Sequence, residues 1–485
     1  MPLVTTEKKS IHSSSMPLYF KEFKNSFLLT NDSGSYSFLK KSEFSDFIGG
    51  LLEKSNIEKF NELKAKGFIS HADDKERLAE CYAIKNRFLA DGPSLAIMVL
   101  TLRCDHNCVY CQASSQSVDA KDMDMNVETA EKAVDFIFQS PNKIITIEFQ
   151  GGEPLLNLAV LKHIVKYALE KNKKIKKELS FTVVSNLTYM NKDILDYLLK
   201  HKIHICTSLD GHELVHNKYR IVRNGKNSYI NTVFWFKQIR KEYQIKKQSC
   251  IPSALTTISR FSLKYSQRIV DEYIKLGLEG IHLRPVSPFG GTLTKWADMS
   301  YTAEQFLQFY IKTLDYILFL NRSGKYFFER SATIFLTKIL IGRDPGFLDL
   351  RSPCGAGTGQ IAFNFDGNIY SCDEGRMLSR QGCELFKLGN IQRDSYEKVI
   401  DSPVIKTLCA ASCLDGLPQC HDCVYKPYCG VCPLYNYVTR GDVFSKSDFL
   451  CTVNSGIMDY LFSKLKDSCL KDIFKSWIGI TESTN

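Results

Sequence analysis

The sequence predicts an α/β fold: a partial (β/α)6, TIM-like barrel, with a small winged-helix-like α+β segment before it and a cysteine-rich domain behind it. Three observations predict this. From Ser94 onward, short apolar runs alternate with amphipathic helical patterns, the order of a parallel sheet built from βα units. The residues before about 92 instead order strands ahead of helices. Ten of the 17 cysteines fall in two groups of short, regular spacing, which a chain without a secretory signal does not need for disulfides.

In order, FKNSFLLTND and GSYSFLK read as two strands around the turn Asn31-Asp32-Ser33-Gly34, followed by helical patterns at SEFSDFIGGLLEK and NIEKFNELKAKGFI. The Gly49-Gly50 pair weakens the first helix. The barrel, residues 93–300, takes its strands from LAIMVLT, IITIEF, LSFTVVS, IHICTSL, SCIPSALTT and GIHLRP. Leu155 to Leu169 and Leu263 to Leu276 repeat apolar positions every three or four residues, as helices do. Chemistry in such a barrel sits at the C-terminal ends of the strands. Residues 301–351 form a helical bridge, 352–452 the cysteine-rich segment, and 453–485 a closing helix, Ser455 to Trp477, and tail.

The 63 basic and 53 acidic residues give a net charge of +10. The lysines are scattered, and their densest run, EKNKKIKKE from Glu170 to Glu178, reads as the solvated end of a helix. Neither nucleic acid nor membrane is expected as a partner. The N-terminus has no apolar signal region and no run nears the roughly 18 apolar residues of a span, so a reducing cytoplasm is expected. The charge favours acidic peptides or a negatively charged electron donor.

The first cysteine group, Cys104-Asp-His-Asn-Cys108-Val-Tyr-Cys111, follows the first barrel strand directly. It offers three ligands. On a cube of four irons that leaves one iron open to an outside ligand, whereas structural zinc would need a fourth protein ligand, for which His106 is the candidate. The array resembles the signature of radical S-adenosylmethionine (SAM) enzymes, with Tyr110 in the aromatic slot. Gln150-Gly151-Gly152-Glu153-Pro154, after the second strand, is similar to that family's GGEP motif, whose backbone and glutamate meet the SAM amino group. The resemblance also implies SAM contacts for Asn186 after the third strand, Ser208 near the ribose and Arg220 near the carboxylate. Leu283-Arg284-Pro285 is implied, more weakly, to flank the adenine.

The second group runs Cys354-x12-Gly367-x4-Cys372, then Cys420-x2-Cys423-x5-Cys429-x2-Cys432-x18-Cys451. Seven thiolates amid tight turns suit two metal centres, two zinc ribbons being the bland alternative. The spacing resembles the SPASM auxiliary-cluster domain. That resemblance implies Cys354, Cys372 and Cys432 on one auxiliary 4Fe-4S cluster and Cys420, Cys423, Cys429 and Cys451 on a second, three clusters in all. Some relatives carry a further cysteine where this chain has Gln360. The first auxiliary cluster therefore lacks an obvious fourth ligand, with Cys413, Cys383 and Cys409 as candidates and an open iron as the alternative. Asp373, after Cys372, is the best general-base candidate, against the plainer reading of an exposed turn carboxylate. Cys81, Cys206, Cys250 and Cys469 read as ordinary buried thiols.

The family resemblance implies reductive cleavage of SAM to a 5'-deoxyadenosyl radical that abstracts a substrate hydrogen. The N-terminal segment resembles leader-capturing winged-helix elements, which add a peptide as a strand; a cap on the barrel is the other reading. In finer detail, Ala411 to Pro433 and Tyr370 to Arg376 resemble the radical SAM maturase B of His-Xaa-Ser peptide systems. That would imply a precursor peptide, a second radical SAM maturase, and a low-potential donor such as ferredoxin or flavodoxin. The alternatives are a sulfatase-maturating enzyme, a multicluster iron-sulfur electron carrier without chemistry of its own, and a zinc-stabilised nucleic-acid binder.

Overall fold

The computed structural model describes residues 18–69, 74–246 and 252–480. The N-terminal sheet has three strands where the sequence suggested two. β1 (Leu18–Phe23), β2 (Ser26–Asn31) and β3 (Tyr36–Lys40) pair antiparallel in that order. Lys24, at φ 57°, turns the chain back between β1 and β2; the expected strand FKNSFLLTND becomes β2, and β1, LYFKEF, is the additional strand ahead of it. The Asn31–Gly34 turn forms as expected, the Gly34 N–H donating to the Asn31 carbonyl at 2.9 Å. Helices Lys41–Ile48 and Ile57–Ala65 follow, the first ending at Gly49 and the second capped by Asn56, which accepts from the Lys59 N–H at 3.0 Å. Leu29, Leu39, Leu52, Leu63 and Phe68 give this segment a core of its own.

The segment leans on the cysteine-rich region and the last helices. Thr30 Oγ1 donates to the Val424 carbonyl at 2.6 Å, the Tyr428 hydroxyl donates to the Gly34 carbonyl at 3.0 Å, and Phe462 meets Tyr36 and Phe38 edge-on.

β4 (Leu95–Thr101), β5 (Ile144–Gly151), β6 (Glu178–Ser185), β7 (His204–Ser208) and β8 (Ser253–Ile258) run parallel in chain order. The GIHLRP run divides at His282 into β9 (Gly280–Ile281) and β10 (Leu283–Pro285); β10 pairs with β8 as the sixth barrel strand, and β9 pairs with β11 (Phe328–Glu329). Ile145, Ile147 and Phe149 of β5 point into the layer of outer helices, packing with Leu161, Ile164 and Val165 of the helix Leu158–Ile175.

The sequence did not reveal that the sheet continues. β12 (Gln360–Phe363) pairs parallel to β4, and β13 (Asn368–Tyr370) and β14 (Lys387–Asn390) extend it antiparallel, making nine strands. An open partial barrel leaves the backbone of β4 unpaired on one edge, and the cysteine-rich segment covers that edge.

The bridge is two helices, Ala303–Arg322 and Arg330–Leu340, on either side of β11. The closing helix is also two, Asp448–Lys464 and Ser468–Trp477, the second capped by Asp467. The first begins earlier than expected and takes Cys451 into its first turn. Cys206 is buried as read, but Cys81 and Cys469 are exposed on helices, and Cys250 lies outside the described residues. Among the described residues no helix is long and apolar enough to cross a membrane.

Candidate active site at the strand ends

Two adjacent strand ends make the floor of the site. Past β4 the chain continues through Leu102 and Arg103 into Cys104, and past β5 it turns through Gly151 and Gly152. The Gly152 N–H donates to the Thr101 carbonyl at 2.8 Å and the Glu153 N–H to the Arg103 carbonyl at 2.7 Å. A Cβ on Gly151, at φ 133°, would lie 2.1 Å from the Thr101 carbonyl oxygen, and one on Gly152 2.3 Å from that of Arg103. These glycines let the two backbones run in contact under the cysteine loop. Arg103 fixes the same floor, its guanidinium forked onto Asp124 at 2.8 and 2.5 Å and reaching the Leu156 carbonyl at 3.1 Å.

The loop above is held at several points. The Cys104 N–H donates to the Gln116 carbonyl at 3.0 Å, the Cys111 N–H to the Cys108 carbonyl at 3.0 Å, and the Val109 N–H to the Tyr219 carbonyl at 2.9 Å. The Cys104 sulfur accepts from the His106 N–H at 3.4 Å. Burial pushes the Cys104 thiol well above its ordinary pKa and that of Cys108 up to about 12. Without a metal both stay protonated at neutral pH, and a bound metal would displace the protons.

Glu153 is fully buried and its carboxylate is spent on the protein. It accepts from Ser185 Oγ at 2.8 Å, the Asn186 N–H at 2.8 Å and the Leu155 N–H at 3.1 Å, tying the β5 turn to the end of β6. Burial, resisted by these bonds, pushes it up to about 7. Asn186 Nδ2 faces the Cys104 loop, 3.1 Å from Asp105 Oδ1. Arg220 is likewise engaged: it forks onto Asp210 at 3.0 and 3.1 Å and lies over the Tyr110 ring at 5.3 Å, while the Tyr110 hydroxyl donates to the same carboxylate. Sequence reading offered both charges to a ligand; the fold gives each a protein partner first.

A cavity of about 640 Å³ opens over this floor. Cys104, Cys108 and Cys111 line one side with Gly151, Gly152, Asn186, Ser208 and Arg220, and Arg284, Asp349, Asp373 and Glu374 line the other. Asp373 is no exposed turn residue. It is buried in the first turn of the helix Asp373–Ser379 and paired with Arg376 at 2.7 Å. Its neighbour Glu374, which sequence reasoning missed, also faces the cavity, pushed up to about 7 by burial and by the carboxylates of Asp349 and Asp373. No sequence signal separates two adjacent acids before the helix orients them.

Cys354, Cys372 and Cys432 pack in one apolar cluster with Phe289, Met377 and Leu434, and Cys372 Sγ accepts from the Gly375 N–H at 3.4 Å. Cys383 borders this cluster. Cys409 lies close enough to Cys354 to influence its ionisation, and Cys413, at the start of the turn Leu414–Gly416, does the same to Cys409. Gln360 opens β12 and is buried against the same cavity. Cys420, Cys423, Cys429 and Cys451 surround a separate cavity with Lys446, whose Nζ lies 3.0 Å from Cys451 Sγ.

The thiol spacing bears on the metal. Around a single zinc at about 2.3 Å per thiolate, ligand sulfurs crowd within about 4 Å of one another. Among the described residues no three cysteines converge that closely. The one ligand group within 4.8 Å is Cys104, Asp105 and His106, and His106 already uses Nδ1 on Asp105 at 2.9 Å and Nε2 on Ser228 at 2.8 Å. Thiolates that each bind a different iron stand further apart, a spacing with which the cysteine groups are compatible.

Residues 98–245 match the model of the Radical SAM superfamily. An uncharacterised protein of Methanocaldococcus jannaschii is 30% identical over 201 residues, 41% of this chain and 65% of that protein, so the chain spans just under two thirds of that relative. The antilisterial bacteriocin subtilosin biosynthesis protein AlbA of Bacillus subtilis is 25% identical over 70% of this chain and 67% of its own. Among solved structures, anSMEcpe with bound AdoMet superposes with a TM-score of 0.66 at 17% identity, covering 80% of this chain and 98% of that one. Streptococcus suis SuiB bound to precursor peptide SuiA gives 0.52 at 14%, covering 90% and 99%. Cys104, Cys108 and Cys111, gathered above the Gly151-Gly152 turn at the ends of a parallel sheet, all lie within the residues 98–245 that match the Radical SAM superfamily model.

Proposed function

We propose that the protein is a radical SAM enzyme that modifies a ribosomally made precursor peptide, of the His-Xaa-Ser type. The observation that carries this reading is the shared cavity, lined by the Cys104–Cys111 loop on one face and by Asp373 and Glu374 of the cysteine-rich segment on the other. Cys104, Cys108 and Cys111 would hold the SAM-binding cluster; Cys354, Cys372 and Cys432, and then Cys420, Cys423, Cys429 and Cys451, would hold two more. When bound, the first cluster would supply the low-potential electron for reductive cleavage of SAM and so the radical chemistry toward a substrate hydrogen.

The chain's own residues shape that event. The Gly151-Gly152 backbone, Asn186 and Ser208 present polar groups to SAM. The Arg220–Asp210–Tyr110 set stiffens the loop beneath it. Asp373, held by Arg376, would accept the proton that substrate oxidation releases. The N-terminal sheet, seated on the cysteine-rich segment, supports capture of a leader peptide as an added strand. AlbA is a bacteriocin biosynthesis protein and SuiB binds a precursor peptide; the likeness to the cysteine-type anaerobic sulfatase-maturating enzyme of Clostridium novyi, 21% identical over 69% of this chain and 86% of its own, supports sulfatase maturation as the second reading, against which Gln360 stands where some relatives have cysteine.

The test is anaerobic purification with iron and sulfide analysis, followed by dithionite and SAM. About twelve irons per chain, three cubes of four, and release of 5'-deoxyadenosine are expected. Replacing Cys104, Cys108 and Cys111 by Ala removes about a third of the iron and all of the cleavage. Iron-free protein with stoichiometric zinc sinks the reading. Incubation with a His-Xaa-Ser precursor or a sulfatase-derived Cys peptide, read by mass spectrometry, separates the two substrates.

A further inference from the structure

Resting on the reading that Cys104, Cys108 and Cys111 hold a redox cluster, we propose a docking surface for an acidic, low-potential electron-transfer protein. It is the face made by the short helix Glu213–Tyr219, the loop after it and the outward side of the helix Ser228–Ile245.

The cysteine loop comes to the surface here. Asn107 is exposed and its N–H donates to the Ile221 carbonyl at 2.7 Å, and the Arg223 N–H donates to the Asp105 carbonyl at 2.8 Å. Arg223 Nε reaches the carbonyl of Cys104 itself at 3.3 Å. The helix behind is in direct contact on its inner side, where Ser228 Oγ meets His106 Nε2 and Thr232 Oγ1 donates to the Asn186 carbonyl at 3.5 Å. Its outer side therefore stands one helix diameter, about 10 Å, from the loop.

That outer surface is apolar and basic together. Leu214, Ile221, Ile230 and Phe234 are 52%, 47%, 61% and 52% exposed, more large apolar side chains than a solvated barrel helix needs. Ile230, Phe234, Lys237 and Lys241 recur at helical spacing on one stripe. Lys218, Arg223 and Lys226 rim the end nearest the cysteines, and Glu213 is the one exposed carboxylate among residues 213–246. An apolar centre with a cationic rim complements the acidic rim of a flavodoxin or ferredoxin, whose approach it would steer.

The test uses the full chain, reconstituted without oxygen, and a bacterial flavodoxin as probe. Calorimetric titration is expected to show binding that weakens as ionic strength rises, and the double variant Lys226→Glu/Phe234→Glu to weaken it about tenfold or more with an unchanged melting temperature. In parallel, SAM cleavage driven by reduced flavodoxin falls in that variant while dithionite-driven cleavage, which needs no docking, does not. Flavodoxin binding that is absent in the wild type, or equal in the variant, overturns the proposal. So does a dimer that Phe234→Glu dissolves, which would assign the face to a second copy of the chain. If dithionite drives no cleavage in the wild type, it is the cysteine-site reading that fails, and the titration still decides the docking face.

Discussion

Gly152 shows how one missing side chain positions a site. Gly152→Ala places a Cβ 2.3 Å from one backbone carbonyl and 2.6 Å from another, neither of which can rotate away. We expect a loss of about 1–3 kcal/mol or more in thermal denaturation and reduced iron at the Cys104 group in the same preparation. The sequence marked this glycine, but as one that admits a ligand; the contact that requires it is made by the neighbouring strand end, 49 positions earlier, and depends on register. Glu153 and Arg220 are similar cases, charged groups legible in the sequence whose partners Ser185 and Asp210 are fixed only by the fold. Lys446 had no motif to announce it. Its ammonium against Cys451 favours the more negative, reduced state of a cluster held there, so Lys446→Met should lower that cluster's midpoint potential in an EPR-monitored redox titration.

At the level of elements, five of the six barrel strands read true because a buried parallel strand is a short apolar run, bounded by turn residues, and needs no distant information to be recognised. The GIHLRP run divides because β9 and β10 serve different partners. β12 to β14 were illegible for the opposite reason: QIAF and NIY are too short to signal alone and become strands by pairing with β4 and with one another. In the N-terminal segment the helix Ile57–Ala65 is locked to the sheet by Glu62. Partial burial works to raise its pKa, but Lys59, Lys66 and Ser37 outweigh it and hold the carboxylate at about 2. A depressed carboxylate stabilises above its unfolded value of 4.5 and loses that contribution as pH falls toward 2. Melting followed from pH 5 downward should therefore drop more steeply in the wild type than in Glu62→Gln, which carries no such proton linkage.

Across the whole molecule, one residue joins three regions. Phe462, on the helix Asp448–Lys464, is fully buried against Tyr36 and Phe38 of the N-terminal sheet and against Tyr425 and Tyr428 of the cysteine-rich segment. Phe462→Ala removes a buried ring at a cost of about 3–5 kcal/mol. Its expected signature is loosening of residues 18–69, read as faster limited proteolysis there while the barrel stays resistant. The sequence by itself determined the alternation of strands and helices, the placing of the cysteines after a strand and in a terminal segment, and the glycine turn beside them. Each is written in local spacing, and local spacing is what a backbone reads first. Only the tertiary structure decided that the cysteine-rich segment completes the barrel sheet, that Asp373 and Glu374 face the same cavity as Cys104, and which charges are already paired. Those outcomes depend on sheet edges and buried polar groups finding partners far away in the chain, and the free energy of that pairing is absent from any one stretch of sequence.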